Sequence, residues 1–396
     1  MINIDNQNKM QKRTGGLAIL GSTGSIGQQA LEVIEEQNEI SNIKLLTADS
    51  NLEAFLFQCK KLKPPMVFLA NPHQRKKLKL ALSQSDIEVL DSEEEVYQQF
   101  HREDIEIVLL AIVGFAGLKP AIKALEAGKR LAIANKESLV VGGQLIMDLV
   151  YKNNLEMIPV DSEHSAIYQC LRGERHQDIE RVILTASGGP FFYLTKDELK
   201  NIKLEEALKH PTWEMGQKIT IDSASLMNKG LEVIEAKWLF DLNPKQIDVV
   251  VHQQSLIHSM VQFKDGSVKA QMSPPDMKGP IQYALYAPER RFSALTRFNF
   301  LESFDLSFRP VDTKKFRNLA LAFLALEKGG NMPAILNAAN EAAVDAVLKQ
   351  ELAFYKLPEV IEKMMDQMEW IENPDFRDLE NTHFSTIKKT NELIRR

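Results

Sequence analysis

Cysteine is nearly absent from the chain: 396 residues contain two, Cys59 and Cys170, far apart in sequence. Neither a disulfide framework nor a thiolate zinc site can be built from them, and the reducing cytoplasm is the expected compartment. No segment approaches the roughly 18 uninterrupted apolar residues of a membrane span. The first fourteen residues are polar, lack the apolar centre of a secretory leader, and read as a frayed tail. Basic charge is not in excess, because 48 Lys and Arg face 54 Asp and Glu for a net charge of −6, so no general field is available to hold nucleic acid. Repeats and low-complexity segments are also missing. What is present is a 44% hydrophobic content, which excludes a disordered chain, and a length that suits two or three domains of about 150 residues each.

Short apolar runs alternate with amphipathic stretches of helical period from Leu17 to Val160: 17–20, 43–48, 66–70, 105–112, 130–134 and 157–160. This β-α-β-α order predicts an α/β fold, with a Rossmann-like, doubly wound parallel sheet over residues 1–160. After Asp161 the gaps lengthen and the strands change character, at 180–186, 246–252, 259–263 and 267–272, with tight turns such as Lys264-Asp265-Gly266. An antiparallel or mixed sheet in an α+β domain over 161–290 is expected. Residues 291–316 follow Pro288, carry Arg291 and Pro310, and read as a connecting segment. Only helical periods remain in 317–396, which predicts a C-terminal helical bundle.

Gly21-Ser22-Thr23-Gly24-Ser25-Ile26-Gly27 joins the first strand to a helix beginning near Ile26. Glycines at such a turn let backbone approach a pyrophosphate, while the helix N-terminus offers free N–H groups and the positive end of a dipole. The spacing is G-x-x-G-x-x-G, and the other reading is a tight strand-to-helix turn. Asp49 follows Gly27 by 22 positions, at the end of the second strand, where an acid bonds a ribose 2′-hydroxyl and favours NAD. Ser50 and Asn51 suit a 2′-phosphate instead, and the residues leave that choice open.

Asp161 and Glu163 lie at the carboxyl end of the last strand of the first domain, where open α/β sheets bind ligands. Two convergent carboxylates suit a hard cation, Mg²⁺ or Mn²⁺, better than zinc or copper. Asp, Ser and Glu here also suit a plain helix N-cap. Further on, Ser223, Asn228 and Lys229 gather a hydroxyl, an amide and an ammonium that suit a monophosphate. Glu232 stands one turn beyond Asn228, and Glu235 shares its helix face. An N-capped amphipathic helix with solvated charges is the alternative. Ser187-Gly188-Gly189 adds a hydroxyl on a turn that closes on an anion or is a turn alone. His252 and His258 read as hydrogen-bonded structural histidines, and His73, His101, His176 and His383 as surface residues. Trp213, in a loop with Pro211 and Gly216, either covers a ligand or anchors that loop.

These motifs in order resemble one family: GSTGSIG (21–27), ANKESLV (134–140), PVDSEHSA (159–166), ASGGPF (186–191), HPTWEMGQKITIDSASLMNKGLEVIEA (210–236), VHQQSLIHSMV (251–261) and LNAANEAAV (336–344). The chain is similar, from about Gly16 to Lys349, to the 1-deoxy-D-xylulose 5-phosphate reductoisomerases of the non-mevalonate isoprenoid pathway. The resemblance implies NADPH bound by Thr23, Gly24, Ser25, Ile26, Asn51, Asn135, Glu137 and Gly216. It implies a divalent metal, Mn²⁺ or Mg²⁺, on Asp161, Glu163 and Glu232. Substrate contacts would come from Lys136, Ser162, Glu163, Ser187, His210, Trp213, Ser223, Asn228, Lys229 and Glu232, with Ser187, Ser223, Asn228 and Lys229 around the phosphate. Lys136, Glu163, Lys229 and Glu232 would be catalytic, and the protein a cytoplasmic homodimer acting on a small sugar phosphate, with no nucleic-acid or membrane partner.

The implied reaction converts 1-deoxy-D-xylulose 5-phosphate to 2-C-methyl-D-erythritol 4-phosphate by rearrangement and reduction. Two other classes compete: a metal-dependent sugar-phosphate isomerase without redox chemistry, and a non-catalytic dinucleotide sensor. The chain departs from the family pattern at Gln253, where a proline is usual, at Asp49-Ser50-Asn51, which lacks a glycine and a basic residue, and at Phe316-Arg317-Asn318-Leu319.

Overall fold

A computed structural model describes residues 15–209, 216–302 and 305–395. The apolar runs of the first region become strands β1 (Gly16–Leu20), β2 (Ile43–Ala48) and β3 (Met66–Leu69). The short β4 (Glu88–Val89), β5 (Ile105–Leu110), β6 (Arg130–Ile133) and β7 (Met157–Pro159) complete the set. They form one seven-stranded sheet in the order β4-β3-β2-β1-β5-β6-β7, parallel throughout. Helices on both faces demand apolar side chains on both faces of a strand, and β1, β3 and β6 are buried at every residue. The order reverses at β1, so the carboxyl ends of β1 and β5 open a crevice there.

The second sheet contains β8 (Ile179–Ala186), β9 (Ile247–Val251), β10 (Ile257–Phe263), β11 (Val268–Met272) and β12 (Arg309–Pro310), in the order β11-β10-β8-β9-β12. It is mixed, as expected: β8 and β9 run parallel, whereas β10 is antiparallel to both β8 and β11. The β10–β11 hairpin turns at Lys264-Asp265-Gly266, with Gly266 at φ +84°. Between β8 and β9 lie the helices Gln217–Ala224 and Met227–Phe240. The connecting stretch after residue 290 is largely irregular but supplies β12 to the edge of this sheet.

The last part is helical: Arg317–Lys328, Met332–Leu348, Leu357–Gln367 and Phe376–Ile394. Met332–Leu348 is buried on almost all sides. It packs on its three helical neighbours and also on helices Lys136–Lys152 and Gln217–Ala224. This helix therefore ties the two other regions together. Cys59 and Cys170 are both buried free thiols. Among the described residues no helix is long and apolar enough to cross a membrane.

Candidate active site

The glycine loop runs directly from β1 into helix Ser25–Glu36. Gly21 takes φ +89°, and a Cβ there would meet the Ala111 carbonyl at 2.6 Å. A Cβ on Gly27 would lie 2.3 Å from the Gly21 oxygen, so the third glycine lets the helix sit against the loop it follows. Buried Ser22 fixes the turn by donating its hydroxyl to Gln58 (2.7 Å), whose amide returns to the Ser22 carbonyl (2.8 Å). No side chain caps the helix at Gly24, which leaves its first N–H groups available to an anion.

At the opposite side of the crevice, β7 ends at Pro159 and Asp161 caps helix Ser162–Cys170 by accepting from the Ser162 N–H at 3.0 Å. The N-cap reading is met by one carboxylate oxygen, while the other faces Lys136. Glu163 sits in the first turn of that helix, and Glu232 arrives from helix Met227–Phe240. Asp161, Glu163 and Glu232 each bring an oxygen to within 4.8 Å of the others. Glu232 and Glu235 are fully buried, which overturns the solvated-helix alternative for this segment.

Two lysines bridge the carboxylates. Lys136 Nζ lies 2.5 Å from Asp161 Oδ2 and 3.2 Å from Glu232 Oε1, and donates to Asn228 Oδ1 at 2.9 Å. Lys229 reaches Glu163 at 2.7 Å and also pairs with Glu232, to which the Asn228 amide donates as well. Burial would lower both ammonium groups, but the carboxylates around them outweigh it and keep them charged. Burial pushes the Glu232 carboxyl up to about 7, with Glu163 adding repulsion. Glu163 would also rise on burial, but Lys229 beside it holds it below the usual carboxylate range.

His164 lies behind Glu232, with Nε2 2.9 Å from the Glu232 carbonyl and Nδ1 3.3 Å from Glu235 Oε2. Burial lowers this histidine to about 4, so the ring is neutral, and its contact with a carbonyl puts the proton on Nε2. Nδ1 is then an acceptor. Burial, with Asp161 adding repulsion, raises the Glu235 carboxyl well above its usual range.

The donor set fits a divalent cation. Three carboxyl groups, from Asp161, Glu163 and Glu232, meet two ammonium groups and offer only oxygen. Such an all-oxygen site with surplus negative charge suits Mg²⁺ or Mn²⁺.

A cavity of about 990 Å³ joins the two ends, from Gly24, Ser25 and Ile26 past Lys136 and Glu137 to the carboxylates. Gly216, Ser162, Ser187, Ser223, Asn228 and Lys229 also line it. Asn228 and Lys229 direct their side chains to carboxylates. Thr23, Asn51 and Asn135 do not line the cavity. The two asparagines cap helices Leu52–Leu62 and Lys136–Lys152, and Asn135 also donates to the carbonyls of Ile112 and Gly114. Asp49 is exposed and accepts from the Ser50 hydroxyl at 3.0 Å. His210 and Trp213 lie outside the described residues.

Three sequence readings need revision or extension. His383 is not a surface residue: it is buried on helix Phe376–Ile394 and stacks on Phe115 with ring centroids 4.3 Å apart. The buried face is itself largely polar, with Thr382, Thr386 and Thr390 beside His383, so it carries no apolar signal in the sequence. His258 makes the structural bond expected of it, to Ser273, but it also lines the cavity. His252 is structural as read, and with Gln254 it ties the turn around 253 to the connecting segment. Its Nδ1 bonds the Ser307 carbonyl (2.9 Å), its Nε2 accepts from the Leu256 N–H (3.2 Å), and the Gln254 amide donates to Ser307 Oγ (3.0 Å). Lys218, which sequence reasoning passed over, lies on the cavity wall between Glu137 and Asp222.

Comparison with known proteins agrees along the whole chain. Residues 17–143 match the family described as 1-deoxy-D-xylulose 5-phosphate reductoisomerase. Residues 157–240 and 272–396 match two C-terminal domains of the same enzyme. A 1-deoxy-D-xylulose 5-phosphate reductoisomerase of Bacteroides fragilis is 50% identical over 98% of this chain and 99% of its own. That of Phocaeicola vulgatus is 52% identical over 92% and 95%. Among solved structures, the Zymomonas mobilis reductoisomerase in complex with NADPH superposes with a TM-score of 0.89 at 35% identity, covering 97% of this chain and 99% of that one. A reductoisomerase in complex with NADPH, fosmidomycin and magnesium gives 0.88 at 36% identity, covering 96% and 97%.

Proposed function

The chain belongs to the 1-deoxy-D-xylulose 5-phosphate reductoisomerase family, and on that premise we propose that it converts 1-deoxy-D-xylulose 5-phosphate to 2-C-methyl-D-erythritol 4-phosphate with NADPH and a divalent cation. The observation that carries this reading is the cavity itself, which runs from an uncapped helix N-terminus behind the glycine loop to three convergent carboxylates. The parallel-sheet domain, residues 1–160, holds the dinucleotide, and residues 161–290 hold metal and substrate. Residues 291–316 connect these to the C-terminal helices of 317–396. Asp161, Glu163 and Glu232 would hold Mg²⁺ or Mn²⁺. When bound, the cation polarises the substrate's carbonyl oxygen and NADPH supplies the hydride.

The remaining work falls to side chains of this protein. Lys136 and Lys229, kept charged by the surrounding carboxylates, donate hydrogen bonds to substrate oxygens on which negative charge develops. Glu163 accepts from the Ser162 hydroxyl beside it, and the two residues are placed to manage the substrate's hydroxyl protons. Ser187 and Ser223, both on the cavity wall, take the phosphate end with Asn228 and Lys229. Gly24, Ser25, Ile26, Glu137 and Gly216 form the cofactor end, with Thr23, Asn51 and Asn135 behind them. Burial of the carboxylate end limits water around a reactive carbonyl.

We infer a cytoplasmic homodimer. The two buried thiols and the acidic charge balance support a reducing compartment and no nucleic-acid partner. Phe292, Phe300 and Leu301 stand exposed on the connecting segment and support a partner subunit there. The functional reading is tested by Glu232→Gln. Turnover is expected to fall by about a hundredfold or more because a charged cation ligand is lost. NADPH affinity, measured by fluorescence titration, is expected to stay within about twofold, because Glu232 stands at the other end of the cavity. Retained turnover would remove Glu232 from the metal site.

A further inference from the structure

Three consecutive residues at one helix start reach three different parts of the molecule. Asn135 caps helix Lys136–Lys152 and holds the loop after β5 through the carbonyls of Ile112 and Gly114. Lys136 reaches the carboxylate cluster. Glu137 turns the other way and accepts from Lys218 at 2.9 Å. Lys218 is in the first turn of helix Gln217–Ala224, and one turn later its ammonium group also pairs with Asp222 at 2.8 Å. The other oxygen of Asp222 accepts from Asn340 of the C-terminal bundle at 2.8 Å. Both acids are nearly inaccessible to water, and Asp222 directly precedes Ser223.

Lys218 thus ties helix Gln217–Ala224, the helix that carries Ser223, to the start of helix Lys136–Lys152 in the other domain. Buried charge pairs of this kind hold geometry strictly, because displacing one member leaves the others unpaired out of water. Among the described residues Lys218 is the cation that pairs with both acids, and Lys136 is engaged with Asp161, Asn228 and Glu232.

We propose that Lys218 is a positioning residue that couples dinucleotide occupancy at Glu137 to phosphate binding at Ser223. This rests on the reading above that Glu137 belongs to the cofactor end and Ser223 to the phosphate end. Occupancy at Glu137 restrains that carboxylate, Lys218 transmits the restraint to Asp222, and the Ser223 hydroxyl is held toward an incoming phosphate. By linkage, phosphate must in turn tighten dinucleotide binding by the same factor.

The test measures the dissociation constant of NADPH by fluorescence, with and without saturating inorganic phosphate, in wild type, Lys218→Met and Lys218→Arg. In wild type, phosphate is expected to tighten NADPH by about fivefold or more. In Lys218→Met, NADPH should still bind while the ratio falls to near one, and Lys218→Arg should restore most of the coupling. A general loss of stability would weaken both titrations without abolishing their ratio. A folded Lys218→Met protein with the wild-type ratio would overturn the proposal. So would a ratio of one in wild type, which requires no variant to fold. Failure of the functional reading would register separately, as wild-type protein that consumes no NADPH with 1-deoxy-D-xylulose 5-phosphate.

Discussion

His383 illustrates how burial decides the chemistry of a side chain. Enclosed against Phe115, it is pushed down to about 4 by burial, whereas in the unfolded chain it titrates near 6.5. Between those values the unfolded state carries the extra proton, so stability is full above pH 6.5 and falls as the pH drops toward 4. The slope from one such group is at most about 1.4 kcal/mol per pH unit. Chemical denaturation of wild type and His383→Gln at pH 7, 6 and 5 should show a smaller acid loss in the variant. Parallel curves would place the pH dependence elsewhere. The sequence near His383 is polar, and a single buried face on an otherwise solvated helix leaves little trace in composition. Asp161 and Glu163 were legible because they are close in sequence at a strand end, where the fold concentrates ligands. Lys218 was not, because only the fold brings Glu137 to it, and a lysine in an amphipathic segment reads as solvated.

At the scale of elements, the strands of the first sheet could be read directly, since parallel strands buried on both faces are continuous apolar runs. The two strands missed, β4 and β12, are two residues long and lack an apolar run of their own. The parallel pairing of β8 and β9 was hidden by about sixty residues of loop and helix between them. The glycine loop was legible as a loop, but the reason for its third glycine needed the structure. Gly27→Ala puts a methyl group 2.3 Å from a backbone oxygen, and backbone there cannot yield as a flexible side chain does. A loss of about 1–3 kcal/mol in stability is expected from the overpacking, with NADPH binding weakened about tenfold as the loop moves. Thermal melting and NADPH titration check both, and unchanged values would mean that the loop tolerates a shift of the helix.

At the scale of the whole molecule, the site exists because three regions meet. The parallel sheet brings the glycine loop, Lys136 and Asp161, the second region brings Ser187, Ser223 and Glu232, and helix Met332–Leu348 packs behind both. Each region alone leaves a crevice or an acidic helix, and together they enclose a cavity with a dinucleotide end and a cation end. On this reading redox chemistry and metal dependence belong to one turnover, which distinguishes the account from a metal isomerase and from a sensor. The most direct measurement follows the reduced-nicotinamide absorbance with 1-deoxy-D-xylulose 5-phosphate and NADPH, in the presence of Mn²⁺ or Mg²⁺ and again with excess chelator. The account predicts a substrate-dependent loss of absorbance that chelator stops and added metal restores. A folded protein that leaves the absorbance unchanged with metal present, or consumes NADPH equally well in chelator, would contradict it.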